Sequence, residues 1–369
     1  MQSAPPADDP IAPIARNVLS KTLRLRRGDG VIIETWPHTL DWARSFTIEA
    51  RKLGIRPLVH YEDETAYWAA VEQGQAKEVG KVGAPEWAAL GKTTGYVFFW
   101  GPEDRARYAE LPNETREALT AFNTEWYRRA GAAKVRAVRI EVGRATRSSA
   151  SSMGVALDAW KEELARGSAV EPATLARSAS RLVPRLMTGR TLTISHANGT
   201  ELTLRLLRRR PVVDDGIVDA SDVKAHNAFS TIPAGVVSVA VDEKSADGRF
   251  VANKTSYLFS GPATGGKWNF GGGALTDFSY DTGGERFAEV YEKAPAGKER
   301  PAFVSVGLNP YLRAAPRLED QELGAVTLAI GANADFGGRT KIGFGSWLSI
   351  SGAHLSVDGK PLVADGIIL

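Results

Sequence analysis

Between residues 30 and 142 the chain alternates short, continuously apolar segments with amphipathic stretches, and few folds accommodate that alternation. Val31-Ile32-Ile33, Pro57-Leu58-Val59, Tyr96-Val97-Phe98-Phe99-Trp100 and residues 134–142 read as strands rich in β-branched and aromatic residues. Helical period lies between them. It runs through Trp42, Phe46, Ala50 and Leu53 until Gly54, returns at residues 66–71, and returns again from Asn113 to Arg129. Asn113 reads as an N-cap there, with Glu114 in the first turn complementing the helix dipole. An earlier helix, carried by Ile11, Ile14, Val18, Leu19, Thr22 and Leu25, is broken by Gly28-Asp29-Gly30. Strands apolar on both sides need cover on both sides, so this half predicts an open parallel α/β sheet.

The pattern changes after Gly189. A Ser-rich stretch, residues 148–152, leads into helices around Leu157 and Leu175. Residues 192–195 and 202–206 then alternate about Asn198-Gly199, a strong hairpin signal. From there to Leu369, short strands separated by Gly-rich turns replace helical period. The expected organisation is a flexible lead-in over 1–10, an α/β domain over 11–189 and a β-rich domain over 190–369.

At 369 residues the chain is long enough for two cores. No run approaches the 18 or more apolar residues of a membrane span, so no membrane partner is expected. The first ten residues are Pro/Ala/Asp-rich and read as neither signal nor transit peptide. Zero cysteines exclude disulfides, thiolate nucleophiles and Cys-ligated zinc, and fit a cytoplasmic protein. The net charge is +3, with basic residues scattered among acidic ones. The dense run from Arg205 to Arg210 reads as a solvated strand end, and no interleaved aromatics argue for nucleic acid.

The five histidines, His38, His60, His196, His226 and His354, are dispersed, with no HxH, HxxxH or HExxH spacing. Each reads first as a surface or turn residue. His38 is the best functional candidate, because it follows the first strand and ligands bind outside the carboxyl ends of such strands. Gly343-Phe344-Gly345-Ser346-Trp347 lacks the helix of a nucleophile elbow. Gly265-Gly266-Lys267 and Gly271-Gly272-Gly273 lack phosphate-loop spacing and read as a β connection. Glu319, Asp320 and Glu322 are a candidate cation cluster that reads more simply as a solvated loop.

Several phrases then stand in order: Asn198-Gly199-Thr200, Arg210, Thr231-Ile232-Pro233-Ala234-Gly235, Gly307-Leu308-Asn309-Pro310, Leu323-Gly324, Phe336-Gly337-Gly338 and Val357-Asp358-Gly359. Together they make the chain resemble the aminopeptidase T family of metallopeptidases over nearly its full length. The resemblance implies an N-terminal α/β domain, a C-terminal β-rich domain with a two-metal site, and a homodimer. It also places the family's ligands at Val236, Phe303, Thr327, Ala334, Gly345 and Trp347, none of which offers a carboxylate or imidazole. Such metals need those donors at about 2.0–2.2 Å, so no metal and no cofactor is expected. Asp335, beside Ala334, is the chief carboxylate nearby.

The reading that follows is a metal-free pseudo-peptidase with no catalytic residue. Val236, Phe303, Thr327 and Trp347 would line a former peptide cleft between the domains and bind a peptide or peptide-like intermediate. An accessory role in peptide natural-product biosynthesis is one setting for it. The alternative is an enzyme with altered, metal-independent chemistry on a small aromatic or peptidic substrate. Relatives of the fold that open pyridine rings with dioxygen also need His/Asp-type ligands. An active aminopeptidase with displaced ligands is the third reading. Phe303 and Trp347 packed on each other would instead make the former site a plug.

Overall fold

The computed structural model describes residues 9–74, 81, 83–224, 228–257 and 261–369. The lead-in falls almost wholly outside these residues, as does His226. Two compact units divide the chain. One comprises Met1–Ser151, Val155–Pro172 and Gly216–Pro233; the other comprises Ser152–Gly154, Ala173–Asp215 and Ala234–Leu369. The partition is therefore interleaved, not a single cut near residue 190.

The first unit is built on a five-stranded parallel sheet. Its order is Arg56–Tyr61, Gly30–Thr35, Gly95–Phe99, Arg136–Ile140 and Phe229–Ile232. Val31, Ile32 and Ile33 are buried, as continuous β-branched runs demand. The helix Leu40–Lys52 turns Ala43, Phe46 and Ala50 inward, and the chain leaves it through Gly54 at φ +74°. The helix Asn113–Ala132 starts one residue earlier than expected. Pro112 is its N-cap, and Asn113 is its first helical residue, its side-chain oxygen accepting from Arg116.

The second unit packs two largely antiparallel sheets. The eight-stranded sheet contains the expected hairpin, Thr191–His196 with Thr200–Arg205, turned at Gly199 with φ +93°. Asn198 Oδ1 accepts from the Thr200 amide at 3.1 Å and from its hydroxyl at 2.9 Å. The five-stranded sheet runs Gly345–Ile350, Val326–Gly331, Pro301–Gly307, Val236–Ala240 and Val212–Asp214. One face of it supplies core: Val237, Val239, Val304, Val306, Val326, Leu328, Ile330 and Leu348 are all buried.

Residues 205–210 are only partly a solvated strand end. Arg205 pairs with Asp242, but Arg209 is largely buried and forms a 2.9 Å ion pair with Glu243. The Gly-rich segment is a hairpin, Lys267–Gly271 with Ala274–Ser279. Among the described residues, no helix is long and apolar enough to cross a membrane.

Candidate functional site

The four residues expected to contact ligand fall on one face of the five-stranded sheet. Val236 pairs with Gly307 and Phe303 with Ala240. Thr327 pairs with Ser305 on one side and Ser349 on the other, and Trp347 pairs with Ala329. Side chains alternate along a strand, so this register puts Val236, Phe303, Thr327 and Trp347 together. A row of hydroxyls crosses the middle of the face: Ser238, Ser305, Thr327 and Ser349, all buried. They close in pairs. Ser238 Oγ lies 2.7 Å from Ser305 Oγ, and Thr327 Oγ1 lies 2.7 Å from Ser349 Oγ.

Aromatic contacts flank the row. Phe303 and Phe336 have ring centroids 4.0 Å apart. Phe303 thus packs on Phe336. Trp347 is half-buried on the edge strand, and its enclosed indole Nε1 has no hydrogen-bond partner. Ala334 and the exposed Asp335 sit in the short 3₁₀ turn Ala334–Phe336, and Gly345 begins the edge strand.

The acidic loop differs from expectation. Glu319 is only 4% exposed, and neither of its carboxyl oxygens makes a hydrogen bond of good geometry. Burial pushes its carboxyl up to about 7. Asp320 is half-buried as a residue but has an enclosed carboxyl; burial, with Asp214 adding repulsion, pushes it up to about 6. Glu322 is held by Lys254 and by Ser351 Oγ at 3.0 Å. A run of three acids in four residues looks solvated in sequence, but this loop folds inward.

The first unit holds a cavity of about 1160 Å³ that no sequence motif signalled. Its floor is the sheet, where Glu34, His60 and Phe98 stand level on three neighbouring strands. Tyr96 donates a hydrogen bond from its hydroxyl to Glu34 Oε2. Burial raises the Glu34 carboxyl, a shift opposed by Tyr96 and His60 and reinforced by Glu62 and Glu86. His60 Nε2 lies 3.7 Å from Glu62 and 3.6 Å from Glu86. Tyr96 and Trp126 meet edge-on at 4.9 Å on the wall. The available signal was Glu34 itself, a carboxylate near the carboxyl end of an otherwise apolar strand.

His38 sits in the 3₁₀ turn Pro37–Thr39, directly after the first strand. Its Nε2 is 3.2 Å from the Trp100 carbonyl and 3.1 Å from that of Gly143. Carbonyls only accept, so Nε2 carries the hydrogen and the buried, unpartnered Nδ1 presents a lone pair. His38, Glu64 and Glu103 bring their ligand atoms within 4.8 Å of one another. Glu64, however, already accepts from Trp68 Nε1 and from the amides of Glu103 and Asp104. That use closes the segment and leaves His38 and Glu103 as the available donors, too few for a tight site.

No protein-family model matches the chain, and no curated protein matches it by sequence. Solved structures do. The chain is similar to 2,5-dihydroxypyridine dioxygenase from Pseudomonas putida KT2440, with TM-score 0.63 and 13% identity over 97% of this chain and 96% of that one. It is also similar to wild-type AmpT, an aminopeptidase T, from Thermus thermophilus, with TM-score 0.70 and 17% identity over 98% of this chain and 99% of that one. At these identities the likeness establishes architecture: the chain has the aminopeptidase T fold, a parallel α/β unit with a β-rich unit, over nearly its whole length.

Proposed function

We propose that this chain is a metal-free pseudo-peptidase that grips a peptide or peptide-like intermediate on the five-stranded sheet. The observation that carries the reading is the hydroxyl row Ser238–Ser305–Thr327–Ser349, whose members satisfy one another in pairs. Hydroxyls bonded to each other are neutral and poor competitors for a divalent cation, which favours carboxylate and imidazole. Around the row stand Val236, Phe303 and Trp347, suited to an apolar side chain. Trp347 also lies on the sheet edge, where an extended peptide can add as a strand. A cytoplasmic homodimer serving a peptide natural-product pathway is the setting that this reading adopts.

The test pairs catalysis with binding. The protein is incubated with leucine p-nitroanilide and with zinc, cobalt or manganese, and is separately screened against an immobilised peptide library. The reading expects no metal-stimulated hydrolysis and at least one peptide bound at micromolar strength; hydrolysis restored by metal would end it.

A second reading has its own observation. The aromatic cavity with half-buried Glu34 would suit metal-independent chemistry on a small aromatic substrate. Turnover lost in Glu34→Gln and unchanged in Trp347→Ala would favour it.

A further inference from the structure

We propose that the cavity in the α/β unit is a binding site for an organic ammonium ion. The nitrogen sits at Glu34, Glu62 and Glu86, and the apolar body sits among Trp87, Tyr96 and Trp126. This inference lies wholly within the first unit and does not rest on the reading of the C-terminal sheet.

Topology is the first support. The strand order reverses between Gly30–Thr35 and Gly95–Phe99, because the second strand lies outside the first and the third lies on its other side. In doubly wound sheets ligands bind at that switch point, outside the carboxyl ends of the strands. Glu34 and Phe98 are paired across the switch, each the last but one residue of its strand.

Charge is the second. Among the described residues, three carboxylates gather about one imidazole: His60 Nε2 lies 3.7 Å from Glu62 and 3.6 Å from Glu86, and Glu34 is level with His60 on the paired strand. An anion placed there would face all three; a cation relieves their repulsion and supplies Glu34 with a charged donor. Two basic residues on the lining, Arg105 and Arg116, are engaged elsewhere. Arg105 donates to the Gly101 carbonyl at 2.6 Å and stacks over Trp100 at 4.4 Å, and Arg116 is tied to Asn113. Lys81 also lines the cavity and has a partner of its own.

The walls are the third. Rings with electron-rich faces attract a cation beyond what area burial provides, and Tyr96, Trp126 and Trp87, the last already carrying Arg129 at 4.3 Å over its ring, line the same cavity as the carboxylates. A fixed carboxylate with several rings is a recognition set for R–NH₃⁺ groups, and the volume leaves room for a sizeable R.

Phenethylamine and its uncharged counterpart 2-phenylethanol test the proposal on the full chain, by tryptophan fluorescence and calorimetry. The amine is expected to bind at least about tenfold tighter than the alcohol. Glu34→Gln should weaken the amine by about tenfold or more and leave the alcohol within about twofold, since only the ion pair is lost. Should Glu34→Gln fail to fold, Glu86→Gln, whose side chain is half exposed, serves in its place with an expected loss of about threefold. Equal affinity for amine and alcohol, no binding of the amine, or amine affinity unchanged in the folded variants would each overturn the proposal.

Discussion

Thr327 Oγ1 and Ser349 Oγ lie 2.7 Å apart on paired strands, both buried in the middle of the sheet face that carries Val236, Phe303 and Trp347. Only one of the two can donate to the other, and the Ser238–Ser305 pair repeats the arrangement two strands away. The face is therefore hydrogen-bonded within itself. A metal centre would need these positions to offer negative charge or imidazole lone pairs.

Metal content follows directly. Protein purified without chelator should carry far less than one equivalent of zinc, cobalt, manganese or iron by elemental analysis. About two equivalents, removed by chelation together with an aminopeptidase activity, is the outcome that would defeat the pseudo-peptidase reading.

Trp347→Ala separates a binding face from a plug. As a binding residue, Trp347 truncation should weaken a captured peptide by about 2 kcal/mol or more at little cost in stability. As a plug, it should cost about 3–5 kcal/mol of folding stability by opening a core cavity. Its half-buried position on the edge strand favours the first outcome. Denaturation midpoints and peptide affinities of both proteins decide.

Glu319 makes stability depend on pH. Its folded-state pKa, about 7, lies above that of the unfolded chain, so the folded state holds the extra proton. Stability is unpenalised below the unfolded value near 4.3 and falls as pH rises from there through about 7. Glu319→Gln should then stabilise the protein by about 1–3 kcal/mol at pH 8 and have little effect at pH 4. Urea unfolding at the two pH values measures the difference, and equal effects at both would remove the titration argument.

The sheet edge bears on assembly. Arg56–Tyr61 is the edge strand of the parallel sheet, and Leu58, Val59 and Tyr61 on it are 52%, 44% and 45% exposed. Exposed apolar edges invite pairing with a second chain. Light scattering at micromolar concentration should give a dimer, and Tyr61→Lys should shift it toward the 39.7 kDa monomer. A wild-type monomer would rule the dimer out.

What the sequence by itself determined is the set of features governed by neighbours along the chain. The β-branched run at Val31 to Ile33, the period of the helix Leu40–Lys52 and the Asn198-Gly199 turn all stand where local physics puts them. The glycine phrases were legible for a related reason. Gly324 has φ +76°, and a Cβ there would sit 1.6 Å from the Gly366 carbonyl oxygen; one on Gly307 would sit 2.0 Å from that of Glu322. Backbone packing demands glycine at both, whatever chemistry the domain performs. Tertiary structure alone decided the rest, because each case joins residues distant in sequence. Ser238 and Ser305 meet across 67 residues, Glu319 is enclosed by a loop that looks polar in isolation, and the return of Phe229–Ile232 to the parallel sheet interleaves the units. The cavity is the clearest instance. Glu34, His60 and Phe98 share one row because three strands pair in a given order, and pairing order is a property of the folded sheet, not of any single strand.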